Sequence, residues 1–145
     1  MTFKARGRLL NNRFLVLAES GSGHAIVMDE PPALGGSNLG PNPVETLLAA
    51  LAGCALVVVS EFASSVGVEV TEASAEVEGT LDLNGFRGRP GIRAGLQKIN
   101  LKVVVKSPSA DERISKLKEL IESRCPVDDT LKHGTNVNLE VIKST

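Results

Sequence analysis

Asn42 to Ser60 reads NPVETLLAALAGCALVVVS, and the interpretation of this stretch decides the fold. Asn42 is a helix N-cap type, and Pro43 suits the first turn, where a missing N–H costs nothing. Glu45 then complements the positive end of the helix dipole. These signals predict one long helix over about residues 43–66, ended by Gly67. The body is apolar on every face, which marks a helix buried all round rather than a surface amphipath. Its apolar run from Leu47 to Val59 is thirteen residues. Crossing a bilayer as a helix takes about 20, so the run is read as a core helix. A chain this small can hardly surround such a helix alone, and a partner subunit is the simplest cover.

Upstream, Phe3 to Leu10 and Arg13 to Ala18 alternate apolar and polar residues, with Asn11-Asn12 between them suited to a tight hairpin. A second turn at Gly21-Ser22-Gly23 leads into His24 to Asp29, giving three short antiparallel strands. EPPALGGSNLGPNP, rich in Pro, Gly and Asn, is loop. Downstream, Val68 to Leu83 alternates and predicts one long strand or two short ones. Asn84 to Leu96 is a flexible connection, and Lys98 to Lys106 resumes a strand. Pro108 to Asp111 opens an amphipathic helix with Ile114, Leu117, Leu120 and Ile121 on its apolar side. Cys125-Pro126 ends it, because the residue before proline disfavours helical φ/ψ. Pro126 to His133 is a short helix with Gly134 as its C-cap, and Val137 to Ile142 a closing strand. This order describes an α+β fold in a single domain, residues 1–145.

Composition narrows the function. A chain of 145 residues can bury roughly 68% of its unfolded surface, and its 42% apolar and 23% charged residues are ordinary for a soluble protein. Four Phe and no Trp or Tyr leave an aliphatic core and no aromatic platform for base stacking. A formal charge of −1 offers no general attraction to nucleic acid or anionic membrane. MTFKARGRLLNN lacks the apolar run of a signal peptide, so two cysteines are expected as reduced thiols in a soluble, cytoplasmic protein.

Two thiols are the candidates for chemistry. Cys54 lies mid-helix, where a free cysteine commonly just fills space and an inert buried thiol has a raised pKa. Cys125 stands where one helix stops and the next begins, and free N–H groups at a helix N-terminus stabilise a thiolate. Arg124 reinforces that field, whereas Asp128 and Asp129 oppose it. A catalytic thiol wants a cation to keep it ionised and a carboxylate to hold that cation. Glu45 lies nine residues from Cys54, hence about 13.5 Å along the axis and on the opposite face. It can serve only a neighbour's thiol, across a dimer in which two such helices cross. Arg6, Arg8 and Arg13, on the N-terminal strands, are the available cations, although exposed strand arginines are ordinary. No Walker loop, dinucleotide fingerprint, nucleophile elbow or short-spaced metal ligand set is present, so no cofactor or metal is expected. RGRPGIR could take an anion, but it also fits a solvated loop.

GPNPVETLLAALAGC, Gly40 to Cys54, resembles the signature of the OsmC/Ohr family of osmotically inducible and organic-hydroperoxide-resistance proteins. There a Gly-x-Asn-Pro loop opens a central helix carrying a reactive cysteine. Cys125-Pro126-Val127, followed by Thr130-Leu131, resembles the family's Cys-Pro motif, in matching order and spacing. The resemblance implies an intertwined homodimer, with two antiparallel sheets wrapped around central helices from both chains. It implies that Cys54 attacks a hydroperoxide, becomes a sulfenic acid and condenses with Cys125, after which a dithiol or lipoylated protein reduces the disulfide. The family arginine that pairs with the thiol corresponds to Arg13, with Glu45 restraining it. Many members carry glutamate two residues after the Asn of Asn-Pro; this chain has Val44 there and the acid at Glu45, a pattern similar to a less characterised OsmC-like branch. The leading reading is a thiol-dependent hydroperoxide reductase. A redox-responsive or small-molecule-binding dimer fits the same scaffold, because fold alone does not fix function.

Overall fold

The computed structural model describes residues 1–11 and 13–144. The chain divides into two compact units, Met1–Ala49 and Ala50–Thr145, and helix α1 (Pro43–Phe62) begins in the first and continues into the second.

The first unit holds an antiparallel sheet in the order β1 (Ala5–Leu9), β2 (Val16–Ser20), β3 (Ala25–Met28). Arg13 is not on a strand, as the alternation suggested: β2 starts three residues later. The cause is local. The Asn11 side chain accepts from the N–H groups of Arg13 (3.1 Å) and Leu15 (3.2 Å), withdrawing two donors that a ladder would use. The hairpin expected at Asn11-Asn12 falls partly outside the described residues; Leu10 N–H to Leu15 C=O (2.8 Å) closes the connection.

β3 ends at a buried acid, Asp29, which is 2% exposed. Its carboxylate accepts from the backbone N–H groups of Glu30 (2.8 Å), Ser37 (3.0 Å) and Leu39 (3.2 Å), tying the Pro- and Gly-rich loop back onto its own start. Burial alone would raise this acid's pKa, but the three amides outweigh it and leave the carboxyl below its usual range. At Gly40 a Cβ would run into the Val27 carbonyl, so the loop approaches β3 as only glycine permits. α1 then opens with a reciprocal cap: Glu45 N–H donates to the Asn42 side chain, and Asn42 N–H to the Glu45 carboxylate, both 2.8 Å.

In the second unit α1 buries one stripe, Leu51, Ala55, Val58 and Val59, at the i, i+4, i+7, i+8 spacing of one helix face. The expectation of burial all round is not met within one chain, for Val57 remains 66% exposed. By length and composition α1 is long and apolar enough to cross a membrane, longer than its apolar run Leu47 to Val59. It passes through a short 3₁₀ turn, Ser64–Val66, and ends at Gly67 in the left-handed region (φ 72°).

β4 (Glu72–Thr80) and β5 (Lys98–Lys106) form an antiparallel pair. Pairs Ala73–Val105, Ala75–Val103, Val77–Leu101 and Gly79–Ile99 share one apolar face, while Glu72–Lys106 and Glu76–Lys102 stand on the other. Val68 to Leu83 therefore supplies one long strand. The connection after it starts with a single turn, α2 (Leu83–Phe86), because the Asp82 side chain caps Asn84 N–H (2.9 Å). Helices α3 (Asp111–Arg124) and α4 (Pro126–His133) complete the unit. Leu117, Ile121 and Cys125 join the α1 stripe in the core.

The closing strand expected at Val137 to Ile142 does not form. The segment carries no strand structure, and Val137, Leu139 and Val141 are 87%, 85% and 86% exposed. Alternation specifies a strand only where another strand accepts its ladder, and among the described residues the segment pairs with no strand.

Candidate thiol site

Cys54 comes from the middle of α1, one position before the fully buried Ala55, so the helical screw leaves it half-buried and packed on the core's margin. Nothing stands within contact distance of a Cβ built on Gly53, so the surface beside the thiol is open. Cys125 is placed by the break between α3 and α4. Pro126 forces it out of the helical region (φ −76°, ψ 109°), yet its N–H still bonds the Ile121 carbonyl (3.2 Å) and its C=O receives Asp129 N–H (3.0 Å). The residue is 1% exposed.

The two thiols lie near each other, and both are free. Burial pushes the Cys125 thiol up, and the hydrogen bond and charge repulsion from Cys54 push it further. The amides of Val127 and Asp128, at the start of α4, pull it down but less strongly; neither closes a well-formed cap bond to the sulfur. Cys125 is thus a protonated thiol at neutral pH. The helix N-terminus that the sequence offered as a thiolate stabiliser is outweighed by burial.

The charges around Cys125 are already engaged. Lys132 binds Asp128 at 2.6 Å, an i,i+4 pair that holds the lysine above its usual range. Arg124 lies over the Phe62 ring at 5.8 Å.

Arg13 and Glu45 both belong to the first unit. Arg13 is exposed and lies over the Phe14 ring (5.5 Å), with its guanidinium against Gly35. Glu45 is exposed and engaged in the cap of α1. Among the described residues they form no ion pair with each other. Of the strand arginines, Arg6 pairs with Glu19 (3.1 Å). Arg8 forms no ion pair among the described residues. Asp29 is the buried polar residue that sequence reasoning passed over; the one available signal was an acid preceding a loop crowded with backbone donors. Among the described residues, no cluster of three His, Cys, Asp or Glu could hold a metal. The arrangement offers one accessible thiol, one buried thiol as hydrogen-bond partner, and an aliphatic surround.

The family model for OsmC-like proteins matches residues 35–140. Among solved structures, the chain is similar to an OsmC like protein from Mycoplasma pneumoniae, with 24% identity, 92% of this chain and 89% of that one covered, and a TM-score of 0.78. It is also similar to an organic hydroperoxide resistance protein OsmC from Legionella pneumophila (17% identity, 91% and 90% covered, TM-score 0.66). A third is an organic hydroperoxide resistance protein from Elizabethkingia anophelis (19% identity, 92% and 90% covered, TM-score 0.64). No curated protein matches the chain in sequence. The α+β fold of this chain, with a long helix and two small antiparallel sheets, matches theirs. The chain therefore belongs to the OsmC-like protein family.

Proposed function

We propose that this protein reduces organic hydroperoxides with a pair of cysteines, Cys54 as the attacking thiol and Cys125 as the resolving one. The observation that carries the reading is the proximity of the two free thiols in the reduced chain. The Cys54 thiolate attacks the O–O bond, forming an S–O bond and releasing an alkoxide that leaves as the alcohol once protonated. Cys125 then displaces hydroxide from the Cys54 sulfenic acid, forming the S–S bond; its thiol proton goes to the hydroxide, which departs as water. An external dithiol, free or as a lipoyl group on a protein, exchanges with the disulfide and restores both thiols. The aliphatic surround favours organic peroxides over hydrogen peroxide, and a reducing cytoplasm keeps the resting thiols free.

The activating cation is Arg13, restrained by Glu45 across the two-fold axis of a homodimer. Glu45 stands about 13.5 Å along the helix from Cys54 of its own chain and on the opposite face, so it acts on the partner's site. The exposed side of α1, with Leu47 and Val57 outward, supplies the apolar surface for that pairing.

Stopped-flow mixing of the reduced protein with cumene hydroperoxide and with hydrogen peroxide, followed by intact mass, is the test. The reading requires faster reaction with the organic peroxide and a loss of two hydrogens per chain. A protein that leaves both peroxides unreacted is instead a binding or redox-responsive scaffold.

A further inference from the structure

The connection between β4 and β5 is strongly basic, and the cysteine chemistry makes no use of it. Leu83 to Lys98 holds four cations, Arg87, Arg89, Arg93 and Lys98, and no acid, in a protein whose formal charge is −1. The N-terminal strands hold as many cations, but there Arg6 is paired with Glu19 and Arg13 rests on Phe14. The connection is folded rather than loose. Asp82 caps α2, Arg89 N–H donates to the Asn84 carbonyl (2.9 Å), and a Cβ on the buried Gly85 would strike the Arg93 carbonyl. The Arg93 guanidinium braces the far side by donating to the Leu96 carbonyl. Arg87 and Arg89 are exposed, and the ion pairs among the described residues all lie elsewhere. Next to Arg87, Phe86 is 78% exposed.

Chain order brings this connection to the same end of the second unit as the Cys125 break. Glu69 N–H donates to the Ser109 hydroxyl (2.9 Å) and Arg113 to the Gly67 carbonyl (2.8 Å), which fixes the start of α3 just ahead of β4. α3 then runs back along β5, with Leu117 and Ile121 facing the same cavity as Leu101 and Val103. Its far end, and with it Cys125, is thereby carried toward Thr80 and Lys98, where the basic connection emerges.

We infer that residues 86–93 are the docking surface for an acidic protein that returns electrons to the oxidised cysteine pair. Guanidinium groups take carboxylates in bidentate pairs, and an exposed aromatic beside arginines is the composition that protein interfaces favour. A lone ring suits a protein better than a single nucleic-acid strand, which stacks successive bases on several rings. The charges steer and orient the donor rather than supply the chemistry. The donor carries a dithiol. One of its sulfurs attacks the Cys54–Cys125 disulfide, forming a mixed disulfide and releasing one cysteine as thiolate. The second closes the donor's own disulfide and releases the other cysteine. Two electrons pass, and the donor's two thiol protons end on Cys54 and Cys125. The inference rests on the cysteine-pair reading for its electrons and on the connection alone for its docking.

Two Cys-x-x-Cys dithiol peptides are the probes, one set among glutamates and the other among lysines. The full chain is oxidised with cumene hydroperoxide, and intact mass confirms the bridge. The glutamate peptide should re-reduce it about tenfold or more faster than the lysine peptide at low salt, an advantage that shrinks as salt rises. Arg87→Gln with Arg89→Gln should remove most of that advantage and leave reduction by dithiothreitol unchanged, and Phe86→Ala should remove part of it. All three positions are exposed, and far-UV circular dichroism checks that the variants fold. Docking is also read without redox chemistry, by fluorescence anisotropy of the glutamate peptide, with serines for its cysteines, on the reduced chain. Equal rates for the two peptides, or an advantage that the arginine variant keeps, would overturn the inference. So would oligodeoxythymidylate binding tighter than the glutamate peptide. A chain that never forms the bridge sinks the redox reading instead, and serine-peptide binding that the arginine variant abolishes still upholds the docking surface.

Discussion

Replacing Cys125 with alanine separates its packing role from its chemical one. The residue is 1% exposed and packs among Leu117, Ile121 and the α1 stripe, so the loss of sulfur is felt in the core. Transfer of a methylene-sized group costs about 0.8 kcal/mol, and a cavity of roughly 25 Å³ adds about 0.6 kcal/mol at about 24 cal/mol per Å³. Cys54 also loses a hydrogen-bond partner, but it is half-buried and water can replace the bond at little cost. The expected loss is about 1.5 kcal/mol, a fraction of the roughly 5–15 kcal/mol typical of a folded domain, so the variant stays folded. Urea unfolding of both reduced proteins should show a lower midpoint with unchanged slope. The chemistry should change outright. Under excess cumene hydroperoxide the wild type should lose two hydrogens per chain, whereas Cys125→Ala should gain two oxygens as Cys54 passes from sulfenic to sulfinic acid. If the wild type itself gains oxygens and never forms the bridge, the pairing of the thiols serves packing and the resolving role is wrong.

Stability should also depend on pH through the same thiol. The folded-state pKa of Cys125 is raised by burial, so its contribution is fully present below the unfolded value of about 8.5 and is lost as pH rises through the folded value. Reduced protein should therefore destabilise in alkali, and the disulfide form, having no such proton, should lack that component. Leu117→Ala, at a residue 1% exposed, should cost about 2–5 kcal/mol in urea unfolding without changing the products of peroxide treatment. Arg13→Ala should slow peroxide reduction by roughly one to three orders of magnitude in stopped flow with the dimer intact, because a charge partner shifts a thiol by about one to three pKa units. Glu45→Ala should slow it less. It should also cost about 0.5–2 kcal/mol of stability, since the carboxylate closes the N-cap of α1.

What could be read in the sequence follows from how local each signal is. The start of α1 is written in three residues of one turn, Asn42, Pro43 and Glu45, and the cap between Asn42 and Glu45 formed as those side chains dictate. The break at Cys125-Pro126 is equally local, a steric rule acting between neighbours. The strand assigned from Arg13 failed because one carboxamide, Asn11, diverted two backbone donors, a competition invisible to alternation. The strand assigned to 137–142 failed because alternation states which face a segment would bury but not whether a partner edge is present. The charge state of Cys125 stayed open in the sequence for a third reason. Helix-dipole logic counts the amides in sequence, while burial among α1, α3 and Cys54 is a tertiary fact.

That last difference bears on how two identical side chains could divide one reaction. In the proposed reaction a peroxide meets Cys54 first, since Cys54 is half-buried and Cys125 is enclosed. In the resting state the buried thiol keeps its proton and acts as a hydrogen-bond partner rather than a competing nucleophile. Oxidation of Cys54 alters that balance, because a sulfenic acid carries oxygen where the thiol had only sulfur and is an electrophile at the sulfur facing Cys125. The amides of Val127 and Asp128, too weak to ionise Cys125 against burial, then favour the thiolate character that develops as its proton moves to the departing hydroxide. In the proposed reaction a buried, protonated resolving thiol is thus slow until its partner is oxidised, which would tie resolution to the peroxide event that calls for it.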